Sequence, residues 1–223
     1  MSTPAGTTPS PGNDDPGFQP EDVRYIRDLE TLRAISDPTR IRILETMVQR
    51  RTPAWSVKEI AAALDVPQTR LYHHVELLLE HDLVRAVERR VVSGIIETRY
   101  AVTARSFQLD RSLFAPGSEE GLQVLHETLV AVFDTARAEV EEAVRLGTIE
   151  TGADAPPERR MLVSRGLARL TPARAAELRG RLEALAEEFG ADEHADPADP
   201  GAHAYGVVLA VYPLPPITEP SDA

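Results

Sequence analysis

Residues 29–102 carry the feature that most limits how this chain can fold: short helical patterns followed by a β-hairpin pattern. The helical patterns are apolar residues at three- and four-residue spacing. The hairpin pattern is two apolar runs, 83–92 and 95–102, separated by Ser93 and Gly94. A two-residue loop that ends in glycine is typical of a tight β-turn. Together these patterns predict a small helical domain with a two-stranded extension.

Capping residues indicate where two of the helices begin, and a turn indicates the start of a third. Asp37 can accept hydrogen bonds from the free N–H groups of a helix whose first residue is a proline. Ser56 and Glu59 form a capping box, so a second helix is predicted to start at Ser56. A third helix follows the turn at 65–67 and is expected to run to about residue 81. An earlier helical pattern, at 25–35, includes Tyr25 and Ile26.

The helix after the turn separates polar from apolar side chains. Its apolar side, which is expected to face the core, carries Leu71, Val75, Leu78 and Leu79. This is the layout of a winged helix-turn-helix, in which such a helix lies in the DNA major groove. Glutamine pairs with adenine and threonine contacts phosphate or a thymine methyl, whereas an ordinary helix would simply leave these groups in water. The predicted DNA-binding residues here are Gln68, Thr69, Arg70, Tyr72 and His73.

Arginines mark the predicted hairpin, or wing, as a second contact with DNA. Arginine near a wing tip contacts phosphates or enters the minor groove. The predicted wing contacts are Arg89, Arg90 and Arg99, with solvent-exposed strand charge as the alternative reading. Because Arg89 and Arg90 are adjacent in a strand, they point to opposite faces and only one of them can face DNA.

Charge is divided unevenly along the chain. The net charge is −12, which argues against a general polyanion binder. Residues 21–105 contain 14 Lys and Arg against 13 Asp and Glu, whereas residues 106–223 contain 10 against 21. The first half is therefore the part that can lie on phosphates, and the acidic second half is expected to face away from DNA.

The second half is predicted to alternate helices and strands. Residues 118–147 form a long helix with a heptad-like apolar seam, suited to a partner helix: Leu122, Leu125, Leu129, Val132, Ala136, Val140 and Ala143. Strands are expected at 160–170 and, buried, at 204–212, with a helix from Thr171-Pro172 between them. The predicted fold class is α+β, mainly α: a winged helix-turn-helix at 21–105 and an α-β-α-β dimerisation or effector region at 106–212. Residues 1–20 are expected to be a disordered tail and 213–223 a flexible proline-rich one.

Several classes of function are not indicated. The chain has no cysteine, which removes disulfides, thiolate metal sites and a cysteine nucleophile, and fits a cytoplasmic location. It shows no apolar run of membrane-spanning length, so no membrane partner is expected. No nucleophile, phosphate-loop or metalloprotease motif is present, so we expect no catalytic residues, no enzyme and no cofactor. His194 among acidic residues is the densest metal candidate, but a solvated loop explains it better, and no metal is expected.

The run 32–44 (LRAISDPTRIRIL) resembles the opening signature of ArsR-type bacterial transcriptional regulators. Residues 57–61 (VKEIA), the helix from Gln68, Leu83-Val84 and Tyr100 match the same pattern, and the resemblance covers about 29–103. The metal-sensing branch has a cysteine-rich segment near 57–62, which this chain lacks. The chain is instead similar to the extended, cysteine-free branch.

The resemblance implies a homodimer that binds double-stranded operator DNA, usually as a repressor released by an effector. Two-fold symmetry implies a pseudo-palindromic operator. We expect any effector to be an organic small molecule rather than a metal, bound by the C-terminal region. The alternative is a winged helix that has lost DNA binding and docks a protein partner.

Overall fold

The computed structural model describes residues 17–49, 54–92, 94–114, 118–190 and 203–215. The predicted N-terminal tail lies almost wholly outside these ranges, as do the acidic loop that contains His194 and most of the proline-rich tail.

Four helices build the N-terminal domain, and two of them begin where the capping residues predict. The four helices are α1 (Leu29–Ile35), α2 (Pro38–Gln49), α3 (Val57–Leu64) and α4 (Gln68–Glu80). Asp37 Oδ1 accepts hydrogen bonds from the N–H groups of Thr39 and Arg40, at 2.9 and 3.1 Å. Ser56 and Glu59 form the predicted capping box at the start of α3. Local capping chemistry therefore fixes these helix starts.

A three-stranded antiparallel sheet follows, and it contains the predicted wing. Its strands are β2 (Trp55–Ser56), β3 (Val84–Val92) and β4 (Ile95–Val102), in the spatial order β2-β4-β3. Gly94 adopts a φ of 84° in the β3–β4 loop, a conformation that glycine tolerates well. The register shifts between Ala86 and Glu88, where β3 carries one extra residue.

The pattern at 25–26 does not continue the first helix, and this part of the prediction is wrong. Tyr25 and Ile26 end a strand, β1 (Glu21–Ile26), which pairs in parallel with β5 (Ala104–Leu109). Arg24 of β1 donates hydrogen bonds to Asp82 Oδ2 and Thr103 Oγ1, at 2.9 and 3.2 Å. The strand is specified by a partner strand more than eighty residues away, which local periodicity does not register.

One main core joins these elements. Its fully buried side chains include Ile26, Leu32, Ile43, Ile60, Leu71, Leu78, Leu83, Val84 and Val124. The apolar side of α4 is buried as predicted at Leu71, Val75 and Leu78. Leu79 is the exception, because it is exposed.

The long helix α5 (Glu119–Arg145) has two apolar sides. The inner side packs on α1 and α2 through Val124, Thr128, Ala131 and Thr135. Thr128 Oγ1 lies 2.6 Å from Ser36 Oγ and donates to the carbonyl of Val124. The seam predicted from the heptad lies beside this contact, with Leu122 and Leu129 exposed and the other five members half-buried. The outer side is therefore free to contact another helix.

The two C-terminal strands are not formed, and this expectation is corrected. Residues 161–171 and 203–215 have no regular secondary structure and are exposed, and α6 (Pro172–Gly190) lies between them in the chain. The residues have high β-propensity, but a strand needs a paired neighbour to satisfy its backbone. Among the described residues, a single chain supplies no such neighbour to either segment.

Two carboxyl groups interact where α2 meets α5. Glu45 lies beside Glu139, and its Oε2 is buried. Burial, the charge of Glu139 and a hydrogen bond with Glu139 raise the pKa of Glu45 to about 8, against an opposing effect of Arg42. Glu45 therefore keeps its proton at neutral pH.

This raised pKa predicts how stability depends on pH. In the unfolded chain Glu45 loses its proton near its ordinary pKa of 4.5, whereas the folded chain holds it to about 8. Its contribution to stability is therefore complete below 4.5 and is lost as the pH rises through 8. Glu45→Gln stays neutral, so at pH 9 its melting temperature should exceed that of the wild type by roughly 2–6 °C.

Thermal melts followed by circular dichroism at pH 5 and pH 9 test this. The control is Glu141→Gln, at an exposed position of α5 paired with Arg137, which should leave the pH profile unchanged. Identical pH profiles for Glu45→Gln and the wild type would show that Glu45 carries no such proton.

Candidate nucleic-acid interface

The helix-turn-helix consists of α3, a tight turn and α4. Asp65 ends α3 in the left-handed conformation, with a φ of 53°, and its N–H donates to the carbonyl of Ala61. The turn places Gln68 at the start of α4. Because Leu71, Val75 and Leu78 are buried, the opposite side of α4 must face outward. The fold thus presents one helix face with its first turns accessible.

That outward face carries the residues predicted to contact DNA. Thr69, Arg70, Tyr72 and His73 are exposed, and Gln68 is half-buried. The Gln68 side-chain amide donates to the Tyr72 hydroxyl at 2.6 Å, so these two side chains act as one polar unit, one turn apart. The next residue, His74, is turned inward toward Asp37, with Nδ1 3.7 Å from Oδ1. Burial lowers the pKa of His74, which favours a neutral imidazole at this position.

The wing adjoins this face through Tyr100. Burial raises the pKa of the Tyr100 phenol, against the lowering effect of a hydrogen bond with Thr98. Tyr72 and Glu76 of α4 and Arg89 of β3 are close enough to interact electrostatically with that phenol. The exposed side of α4 and one face of the wing therefore form a continuous surface, which we call the α4–wing surface.

Strand register determines which wing residues share that surface. Arg89 lies opposite Thr98, and Val91 lies opposite Ile96. Side chains two apart on one strand share a face, as do directly opposed residues, so these four residues lie on the Tyr100 side. The other face carries Glu88, Arg90, Val92, Ile95, Glu97 and Arg99. Of the three predicted wing arginines, the structure brings only Arg89 to the α4–wing surface.

Arg99 is placed inside the protein instead. Its residue is 7% exposed. Its Nη1 donates to Glu59 Oε1 at 3.0 Å, its Nη2 donates to the carbonyl of Ala54, and its Nε lies 3.8 Å from Glu88 Oε2. Its charge is therefore neutralised by the N-terminal turn of α3 and by the opposing strand.

Arg90 is also directed away from α4. It is exposed but forms an ion pair with Glu88 on the face opposite Tyr100. The residues predicted from the sequence to contact DNA did not include Thr98 or Tyr100, which also lie on the α4–wing surface. Strand alternation from Arg89 across the hairpin assigns both residues to the same face. The bulge near Glu88 shifts the pairing of the two strands, so this assignment requires the register observed in the structure.

Comparison with known proteins supports this location. A family model described as a helix-turn-helix domain matches residues 35–87, which run from the last residue of α1 into β3. No curated protein matches the chain. The matched region contains the whole of α2, α3 and α4, and so supports a helix-turn-helix regulator that binds DNA. Domains of this family are typically non-enzymatic.

The part of the chain that the structure describes contains neither a metal-binding cluster nor a membrane-spanning helix. No group of three or more His, Asp or Glu side chains there could hold a metal ion. The described helices include none that is long and apolar enough to cross a membrane. The cluster around His194 falls outside the described residues.

The environment of Arg99 predicts a structural role. Arg99→Ala removes a buried cation and leaves the Ala54 carbonyl and the Glu59 carboxylate without this partner, so the free energy of unfolding should fall by about 2 kcal/mol. Arg89→Ala, at an exposed position one residue pair nearer the wing tip, should leave the unfolding midpoint unchanged. Urea denaturation measures both. Equal stability of Arg99→Ala and the wild type would mean that Arg99 is not held inside.

Proposed function

We propose that this chain is a sequence-specific transcriptional regulator of the extended, cysteine-free ArsR-like type. It binds a pseudo-palindromic operator as a homodimer and acts as a repressor. The observation that carries the proposal is the α4–wing surface: the apolar side of α4 is buried, and its polar side continues into the face of the wing that carries Arg89. A helix that lies in the major groove needs this combination of a fixed rotation and an accessible polar side.

In the proposed complex, each exposed residue of the surface has a role set by its chemistry. Gln68 and Thr69, in the first turn of α4, read base edges, because amide and hydroxyl groups can pair with them. Tyr72 and His73 contact bases or phosphates one turn further on. Arg70 and Arg89 neutralise phosphates on either side of the groove.

The proposed dimer forms through the outer side of α5. Leu122 and Leu129 of the predicted seam are exposed there, and Phe133 is exposed on the turn after Leu129. A helix that is apolar on both its core side and its outer side is suited to a second helix. Two-fold symmetry would then set the two copies of α4 one or two DNA turns apart.

The C-terminal region is proposed to complete its fold in the dimer and to bind the effector. Residues 161–170 and 203–215 hold many exposed apolar side chains, among them Leu162, Val163, Leu167, Tyr205, Val207 and Tyr212. Apolar exposure on this scale is characteristic of an interaction or ligand surface. A non-metal organic molecule that binds there would change the spacing of the two α4 helices and hence operator affinity.

Binding to selected DNA tests the proposal. Wild-type protein should enrich a defined sequence from a random 40-bp duplex library. Gln68→Ala/Tyr72→Ala should reduce the preference for that duplex over a scrambled one by about 10- to 100-fold, because contacts to base edges are lost. Fluorescence anisotropy measures both affinities, and Gln123→Ala, at an exposed position of α5, is the matched control. A wild-type protein that enriches no sequence would contradict the proposal.

The salt dependence of DNA affinity distinguishes the role of Arg89 from that of Arg90. Arg89→Ala should weaken binding to selected and scrambled duplex alike and lower the salt slope by about one for each subunit. Arg90→Ala should leave the slope unchanged, since its charge lies on the opposite face of the wing. Equal slopes for these two variants would contradict the assignment of Arg89 to the DNA side.

The dimer interface has its own test. Leu129→Asp would bury an unpaired carboxylate in each subunit, so the dimer dissociation constant should rise at least roughly tenfold. Ala138→Asp adds the same charge at an exposed position outside the apolar seam and should leave the dimer intact. Sedimentation velocity measures the association state of both. A wild-type monomer, or an equal effect of the two substitutions, would contradict an α5 interface.

A further inference from the structure

The tip of the wing is apolar and uncovered. Val91, Val92, Ile95 and Ile96 surround Gly94 and expose 75%, 48%, 72% and 69% of their surface. None of the four belongs to either core cluster of the described residues. A hairpin that only needed to stay in water would have polar residues at its tip, because exposed aliphatic clusters are costly to hydrate. The tip therefore requires an explanation beyond the fold.

The four residues form two pairs on opposite faces of the wing. Val91 and Ile96 are directly opposed and share the face of Arg89, Thr98 and Tyr100. Val92 and Ile95 share the other face, with Glu88, Arg90 and Glu97. On that second face Glu88 and Glu97 neutralise the charges of Arg90 and Arg99. It therefore holds no excess positive charge, whereas Arg89 on the first face attracts phosphates. The charge distribution thus points the Val91–Ile96 pair, and not the other pair, toward DNA.

The length of the wing matches the distance between grooves. Tyr100 lies beside α4, and Ile96 is four residues along the same strand, or about 13 Å at the usual rise of a strand. The loop at Gly94 is about 20 Å away on the same basis. Successive major grooves are about 34 Å apart, so the neighbouring minor groove lies roughly 17 Å from the centre of a major groove. The tip therefore reaches the minor groove when α4 occupies the major groove.

We propose that Val91 and Ile96 form an apolar wedge that enters the minor groove beside the major-groove site and partly unstacks a base step there. This inference rests on the proposed function, since it requires α4 to lie in the major groove. The wedge contacts deoxyribose and base edges, while Arg89, two residues before Val91, neutralises the adjoining phosphate. Apolar side chains inserted between base pairs bend the duplex toward the major groove.

A wedge also contributes specificity without a hydrogen bond to a base. Pyrimidine–purine steps are the easiest to unstack, so the selected duplex should carry a TA or CA/TG step at the position under the wing. Replacing that step with a stiff A-tract step should weaken binding of the wild type, although no group on the wing reads its bases.

The test compares the two apolar pairs on the wild-type-selected duplex. The variants are Val91→Ser/Ile96→Ser and the control Val92→Ser/Ile95→Ser, which removes similar apolar groups from the opposite face of the same tip. The readouts are affinity by anisotropy, the bend by energy transfer between dyes on the duplex ends, and 2-aminopurine fluorescence at the step under the wing. Thermal melts establish that both variants are folded.

We expect Val91→Ser/Ile96→Ser to weaken binding roughly tenfold, to reduce the bend and to abolish the rise in 2-aminopurine fluorescence. The control should stay within about twofold of the wild type. Equal effects of the two pairs, or a straight duplex with stacked 2-aminopurine in the wild-type complex, would overturn the wedge.

Three further outcomes are distinguishable from that result. If Val91→Ser/Ile96→Ser changes the sedimentation coefficient of the free protein, the tip contacts a second copy and the wedge is overturned. If wild-type protein selects no duplex, the proposed function fails, and the wedge fails with it. If wild type selects a duplex and Gln68→Ala/Tyr72→Ala loses it while the wing variant does not, the proposed function stands and the wedge alone fails.

Discussion

The burial of Leu71, Val75 and Leu78 is the contact on which the rest of the candidate interface depends. Each successive residue of a helix turns by a fixed angle, so burying this stripe sets the direction of every other side chain on α4. Gln68 and Tyr72 face outward as a consequence. The same core contains Leu83 and Val84 at the start of the hairpin, so it also fixes where the wing leaves α4. A rotation of α4 would therefore separate the helix face from the wing face.

Ion pairing makes the cationic surface smaller than the composition indicates. The N-terminal half holds a slight excess of Lys and Arg, yet several of its arginines form ion pairs with carboxylates of the same domain. Arg24 pairs with Asp82, Arg90 with Glu88 and Arg99 with Glu59. The cations that remain on the α4–wing surface are Arg70 and Arg89, which flank the polar unit of Gln68 and Tyr72. In the proposed complex, DNA binding therefore depends more on individual contacts at defined positions, including those of the apolar wing tip, than on total positive charge.

The long helix α5 connects DNA recognition to the C-terminal region. Its inner side is part of the N-terminal core and packs directly on α1 and α2. Its outer side and the exposed segments at 161–170 and 203–215 carry apolar surface that one chain leaves uncovered. An effector that reorders this surface in a dimer would act on the spacing of the two wings and recognition helices, which is how we propose the operator is released.

The sequence by itself determined the elements whose causes are local. Asp37, Ser56 and Glu59 set helix starts through hydrogen bonds within four residues, and apolar periodicity gave α2 to α6 and the hairpin. Tertiary structure decided what depends on distant partners. Residues 25–26 became a strand because β5 pairs with them, and the segments at 160–170 and 204–212 are not strands because the described single chain offers no neighbour. The bulged register of β3 against β4 decided that Arg89 faces the side of α4 while Arg99 is buried. Periodicity indicates which side chains of an element share a face. Only the folded chain decides which other elements that face contacts.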